Sequence, residues 1–307
     1  MAGQVGWKSE STWGTGVTVD TFVPVLESTL DVDEGFLRSS GIRAGRRTRS
    51  PGRLGARTVA GSVRLELPNT SIAALLKHMF GTVNTTGAGP YTHTYSPGPQ
   101  VSKSLTLQTG ITDASDTTRP FTATGAKLGA WELSASVGEL AELSFDWTAK
   151  DVVTATALAS ASYATITPFS FIDASVSVNG SAVASANAVT LSASKNLRDD
   201  RHVLGSRYIR EQLEDEHWEF TSEISADFDD LTLYALGVAG TQVASVLTYS
   251  NGVESLVITT SGQVIGDPPS LTRIGLEEQT IRLDHSHAST DAGAITAVLT
   301  NSESSAA

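Results

Sequence analysis

Asp284, His285 and His287 stand together near the end of an alternating run, where two imidazoles and a carboxylate could address a metal ion. A zinc site needs three or four ligands in fixed geometry, and no second cluster with ligand spacing accompanies them. They are expected to be polar strand positions at the surface, and His78, beside Lys77 in a helical stretch, to be half exposed. No serine sits in a nucleophile elbow, and neither a phosphate loop nor a dinucleotide fingerprint is present. The paired carboxylates Asp199–Asp200 and Asp229–Asp230 fall near turns or helix starts, where capping accounts for them. These readings point away from catalysis, with no cofactor and no metal expected.

The remaining chemistry is that of charged surfaces. Arg43, Arg46, Arg47, Arg49, Arg53 and Arg57 lie in a stretch broken by Gly and Pro, Gly41 to Arg57. The matching stretch further on holds Glu211, Glu214, Asp215, Glu216 and Glu219. Opposite charge at equivalent places would draw neighbouring subunits together and penalise a wrong register, so both sets are inter-subunit contact candidates. Two solvated loops, or a basic loop touching DNA, are the other readings. The net charge of −12 argues against tight nucleic-acid binding, since phosphate contacts need a basic surface. It is compatible with a surface past which DNA slides. There is no cysteine, so disulfides and thiolate metal sites are excluded. No signal-peptide layout and no apolar run of about 20 residues is present, so synthesis in a cytoplasm and no membrane contact are expected.

These charged stretches recur because the chain resembles itself. Gly41–Thr82 and Gly205–Thr241 each run from a charged segment through an alternating strand into a short helical segment ending in Gly-Thr. Val63, Leu65 and Leu67 alternate with Arg64 and Glu66; Phe220, Ile224, Ala226 and Phe228 oppose Glu219, Glu223 and Asp227. Helices are predicted over Ile72–Phe80 and Leu231–Ala239, with Asn69–Ser71 and Asp229–Asp230 as N-caps and Gly81 and Gly240 as C-caps. Lys103–Leu107 matches Glu254–Ile258, and two further strands close each copy. Two tandem copies are expected, residues 1–160 with an N-terminal arm and residues 161–307, parting in the Ala/Ser/Thr-rich stretch before Pro168. Each is a mainly β unit, barrel or sandwich, with one short helix. Trp131 and Trp147 should be buried. Trp7 and Trp13, in the Gly-rich arm Met1–Thr21, should pack on a neighbour, and the arm and the loop Thr82–Gln100 are expected to reach the next subunit or ring.

The N-terminal Gly6-Trp7 and Trp13-Gly14-Thr15-Gly16, then Phe22–Ser28, Val59–Leu67, Leu75–Gly81, Tyr91–Tyr95, Ser104–Gln108 and Gly125–Phe145 form a layout that resembles the major tail tube proteins of long-tailed bacteriophages, particularly actinobacterial ones. The resemblance implies a β-barrel-like fold that joins its neighbours into a hollow cylinder, stacks into rings and passes DNA at ejection. It implies a place in the virion, assembled in the host cytoplasm, beside tail terminator, baseplate and tape measure proteins. Most relatives carry one fold per chain and form hexamers, so two copies imply a homotrimer with a pseudo-hexameric ring; a hexamer is the alternative. A discrete terminator or baseplate ring, or a surface β binding module, is the other functional reading.

Overall fold

The computed structural model describes residues 3–42, 44–45, 47–229, 231–266, 277–287 and 293–306. The first part holds β1 (Gln4–Ser9), β2 (Thr21–Phe22), β3 (Glu27–Leu37), β4 (Arg53–Glu66), α1 (Ala73–Phe80), β5 (Gly81–Thr86), β6 (Tyr91–Pro97), β7 (Leu105–Thr112), β8 (Thr118–Ser136), β9 (Glu142–Ala149) and β10 (Asp151–Val153). The second holds β11 (Ala174–Val178), β12 (Ser181–Ala182), β13 (Ala186–Ser194), β14 (Leu197–Arg198), β15 (Leu213–Glu214), β16 (Glu219–Asp227), α2 (Thr232–Ala239), β17 (Gln242–Ser250), β18 (Ser255–Gly266), β19 (Glu278–His285) and β20 (Ile295–Asn301). The protein is mainly β, as the alternation predicts.

The ladders are antiparallel and repeat one order. In the first part it runs β3–β4–β9–β8–β7–β1. In the second it runs β13–β16–β19–β18–β17–β11. By this order β7 corresponds to β17, not to the run around Ser255–Ile258 that residue similarity aligns with it. The offset arises because α1 is followed by a hairpin, β5–β6, whereas α2 leads directly into β17.

Two junctions join the parts: β8 pairs β13 over Ala130–Ser136, and β6 pairs β20. Along β3–β4–β9–β8–β13–β16–β19–β18, directly opposed residues therefore form rows across the sheet. One row reads Glu27, Arg64, Ser144, Glu132, Ser192, Thr221, Asp284, Gln263. The next reads Ser28, Val63, Phe145, Trp131, Ala193, Phe220, His285, Gly262. Because successive side chains point to opposite faces, the first row is wet and the second builds the core.

β8 and β18 each leave one sheet and enter another, making a sandwich. β8 pairs β7 up to Ala126 and β9 from Lys127. β18 pairs β17 up to Gln263 and β19 from Gly262. A glycine sits at each bend. Gly125 has φ +67°, and a Cβ on Gly262 would lie 2.4 Å from the Asp284 carbonyl oxygen. Strands that change sheets bend at such sites.

Both predicted helices form. α1 buries Leu75, Leu76, Met79 and Phe80, and Gly81 (φ 98°) and Gly240 (φ 60°) end the helices as expected. Ile72 and Leu231 occupy the N-cap positions without a side-chain bond, in place of the predicted Asn69–Ser71 and Asp229; Asp230 lies outside the described residues. Asn69 instead accepts the Thr167 N–H at 2.9 Å. The arm and the loop expected to be structure-poor are ordered, and the turn at Asn84–Pro90 stays exposed. β1 pairs β7, Trp7 is buried, and Thr82–Gln100 forms the β5–β6 hairpin.

Candidate functional site

The wet face of the eight-strand sheet is acidic throughout. Glu27, Asp31 and Asp33 on β3, Asp146 on β9, Glu132 on β8, Glu219 and Glu223 on β16, and Glu278 and Asp284 on β19 are all exposed on it. Glu66, Glu142 and Asp227 are half-buried on the same face. Its two arginines are already paired: Arg64 with Glu142 (3.1 Å) and Glu27 (3.8 Å), Arg282 with Glu223 (3.1 Å). Such exposed pairs contribute about 0–1 kcal/mol each. The face is therefore not arranged for stability, and its field repels phosphates. Between the acids lie Ser, Thr and Ala, with Gln263 and Ile265 on β18 and, among the described residues, no aromatic platform for a base; Trp131 and Trp147 are in the core beneath, as predicted.

The period-two acids could have marked this face in advance. Glu219, Glu223 and Asp227 alternate with Phe220, Ile224 and Ala226. Which strands lie side by side, and hence that the acids share one surface, depends on non-local pairing.

The arginine stretch divides. β4 pairs β9 only from Val59 onward, so Arg53–Thr58 and the end of β3 form a two-stranded ribbon beyond the sheet. At its tip Arg47, Arg49 and Arg53 are exposed, together with Phe36 (61%), Leu37 (68%) and Leu54 (55%). Arg43 and Arg46 lie outside the described residues. Arg57 is at the base and already engaged: it meets Glu34 (3.2 Å) and Asp151 (3.0 Å) and donates to the Val152 carbonyl oxygen (3.1 Å).

The acidic stretch divides too. Glu211 pairs with buried Lys127 at 2.8 Å. Glu214, Asp215 and Glu216 are exposed, with Glu214 accepting from Trp218 Nε1, and Glu219 opens β16 on the acidic face.

Beneath this segment is a buried polar cluster that sequence reasoning missed. Lys127 Nζ also donates to the Gln100 and Gln212 carbonyl oxygens (2.6 and 2.9 Å). Lys195, just after β13, donates to the His78 carbonyl oxygen (2.7 Å) and lies over the Trp218 ring. Burial, reinforced by nearby Lys127, pulls the Lys195 ammonium down to about 7. His78 was expected to be half exposed. It is buried, accepts or donates with Ser9 Oγ at 2.9 Å, and is held down at about 3, by burial first and then by Lys195.

His285 is likewise not at the surface. It continues the buried alternation of Ile281 and Leu283, meets Ser222 Oγ at 2.9 Å, and burial lowers it to about 4. Asp284 points to the opposite face and His287 lies beyond the strand, so the three do not converge. Among the described residues no group of His, Asp or Glu is placed to hold a metal ion, and no helix is long and apolar enough to cross a membrane.

The arm is fixed by Glu10. Its buried carboxylate accepts from Ser104 Oγ (2.6 Å), Thr106 Oγ1 (2.9 Å) and the N–H groups of Gly14 (2.8 Å) and Gly125 (2.9 Å). Trp13 packs under Lys150 and donates to Gln212 within the same chain, not across to a neighbour.

A family model described as phage tail tube protein matches residues 2–301 of the chain. No curated protein matches it.

Proposed function

Because the chain belongs to the phage tail tube protein family, a structural part of the virion tail, we propose that it is a tandem tube subunit: residues 1–160 and 161–307 are two copies of one tube fold, and three chains make a pseudo-hexameric ring. The observation that carries this is the identical ladder order of the two parts, β3–β4–β9–β8–β7–β1 and β13–β16–β19–β18–β17–β11. The subunit is a building element, not an enzyme.

The acidic face supports its use as the bore. Strands spaced about 4.8 Å and tilted about 40° would put three eight-strand sheets around a backbone circle about 48 Å across. That leaves room for a DNA duplex after side chains are added. A bore lined by carboxylates, Ser, Thr and Ala binds no phosphate and lets DNA pass.

The ribbon tip, with Arg47, Arg49 and Arg53 beside Phe36, Leu37 and Leu54, is suited to the next ring. Glu214, Asp215 and Glu216 are the acidic partners available to it. Tail terminator, baseplate and tape measure proteins are the further partners, at the ends and in the bore.

Native mass spectrometry of short assemblies tests the stoichiometry. Masses rising in steps of three chains support the tandem reading, and steps of six chains overturn it.

A further inference from the structure

Of the two junctions, the β8–β13 ladder makes the eight-strand sheet continuous, and among the described residues β3 and the far end of β18 each carry half of that same junction without a strand partner. Aligning the eight-pair ladders β4–β9 and β16–β19 end to end puts Val59, Val63 and Leu65 on Phe220, Ile224 and Ala226. In that alignment β3 corresponds to β13, and β8 to β18. β13 has a strand on both sides, β16 and β8, whereas β3 pairs only with β4. Ala130–Ser134 of β8 lies between β9 and β13, whereas among the described residues Val264–Gly266 of β18 pairs only with β19.

Burial of the helices differs in the same sense. Met79, two residues before Gly81 in α1, is 2% exposed; Val238, two residues before Gly240 in α2, is 69% exposed. The β5–β6 hairpin and Lys195 help to cover α1, and α2 has neither. Leu231 at the start of α2 and Ile265 near the end of β18 are exposed as well. An eleven-residue edge strand and a helix that leaves Leu231 and Val238 uncovered are both liabilities in an isolated subunit.

We infer that the outer edge of β3 in one copy adds to the β18 edge of a second copy, beside its α2, repeating between chains the β13–β8 junction found within the chain. The contact is head-to-tail, with different surfaces on the two copies, so it closes into a ring when the rotation allows. Its register follows from the internal junction. Ser194 opposite Ala130 becomes Asp33 opposite Ile265 of the second copy, and Ala193 opposite Trp131 becomes Val32 opposite Gly266. The contact rests on the tandem-tube reading and specifies which strands serve it.

The lack of cysteine makes disulfide trapping clean. Directly opposed strand residues lie within bridging distance. Asp33→Cys combined with Ile265→Cys, oxidised after assembly, should give reducible covalent dimers and trimers, with the series ending at three chains. Each single variant should give none of this series. Ser194→Cys with Ala130→Cys is the internal control and should oxidise within one chain.

Hydrogen exchange on the unsubstituted protein supplies a second readout. The outward-facing amides of Val32–Glu34 should slow by roughly tenfold or more on assembly, while those of β13 are protected throughout. Tubes visible by electron microscopy, with an oxidised internal control but no intermolecular product and no slowing in β3, would overturn the contact while leaving the tube reading intact. Failure of the unsubstituted chain to assemble at all would overturn both.

Discussion

Lys195 Nζ donates to the backbone carbonyl oxygen of His78 at 2.7 Å, so the end of a strand in the second part of the chain holds the last turn of the helix in the first. With Lys127 bonded to Gln100, Glu211 and Gln212, it makes the junction between the parts a wired polar core as well as a sheet ladder. A junction of this kind is rigid, which would suit the proposed tandem subunit, whose two copies must sit at a fixed angle.

The Lys195 ammonium is lowered from its ordinary value to about 7, so between pH 7 and 10.5 the unfolded chain holds a proton that the folded one has released. Stability of the free subunit therefore rises with pH through this window. Between pH 7 and 9.5 the contribution is on the order of 3 kcal/mol. Urea midpoints of the protein and of Lys195→Met at both pH values measure it. The variant should lack this part of the rise, and equal slopes would contradict the assignment.

His285 acts in the same direction at the acid end of the range. Its folded value of about 4 lies below the unfolded 6.5, so the unfolded state binds the extra proton between these limits and stability falls as pH drops through them. His78, at about 3, acts in the same direction. The His285 share amounts to roughly 3 kcal/mol at pH 4. His285→Gln, which can still bond Ser222, should flatten the acid side of the denaturation profile by about that amount; an unchanged profile would count against it.

Glu10→Gln should detach the N-terminal arm. The carboxylate accepts four hydrogen bonds, and the amide nitrogen would face donors at two of them. Burying opposed donors costs about 1–3 kcal/mol. Limited proteolysis should then cut before Thr21 in the variant, and resistance equal to that of the unsubstituted protein would refute the role.

Arg47→Glu, Arg49→Glu and Arg53→Glu together should block tube growth without unfolding the subunit, since all three side chains are exposed. Surface changes of this kind usually shift stability by less than about 0.5 kcal/mol each. Unchanged polymerisation by light scattering would remove the tip from the stacking contact.

Local pattern made the elements legible and left their partners hidden. The alternation in Val59–Leu67 and Phe220–Phe228 and the glycines after each helix were sufficient for β4, β16, α1 and α2. Two histidines are buried against the expectation from their polarity, because each continues an apolar period. His78 is three residues after buried Leu75, and His285 is two after buried Leu283. The arm looked structureless from its glycines, although Val5 and Trp7 already alternate with Gln4, Gly6 and Lys8. The matching of β7 with the run at Ser255 failed for a different reason: short alternating strands are interchangeable until their ladders are known. The acidic face was hidden likewise, since it brings together strands as distant as β3 and β19.

A cryo-electron-microscopy map of the assembled tube is the most direct test. The account predicts threefold rotational symmetry, with the row Glu27, Arg64, Ser144, Glu132, Ser192, Thr221, Asp284 and Gln263 facing the bore. Sixfold symmetry with one chain per position, or this row on the outer wall, would contradict it.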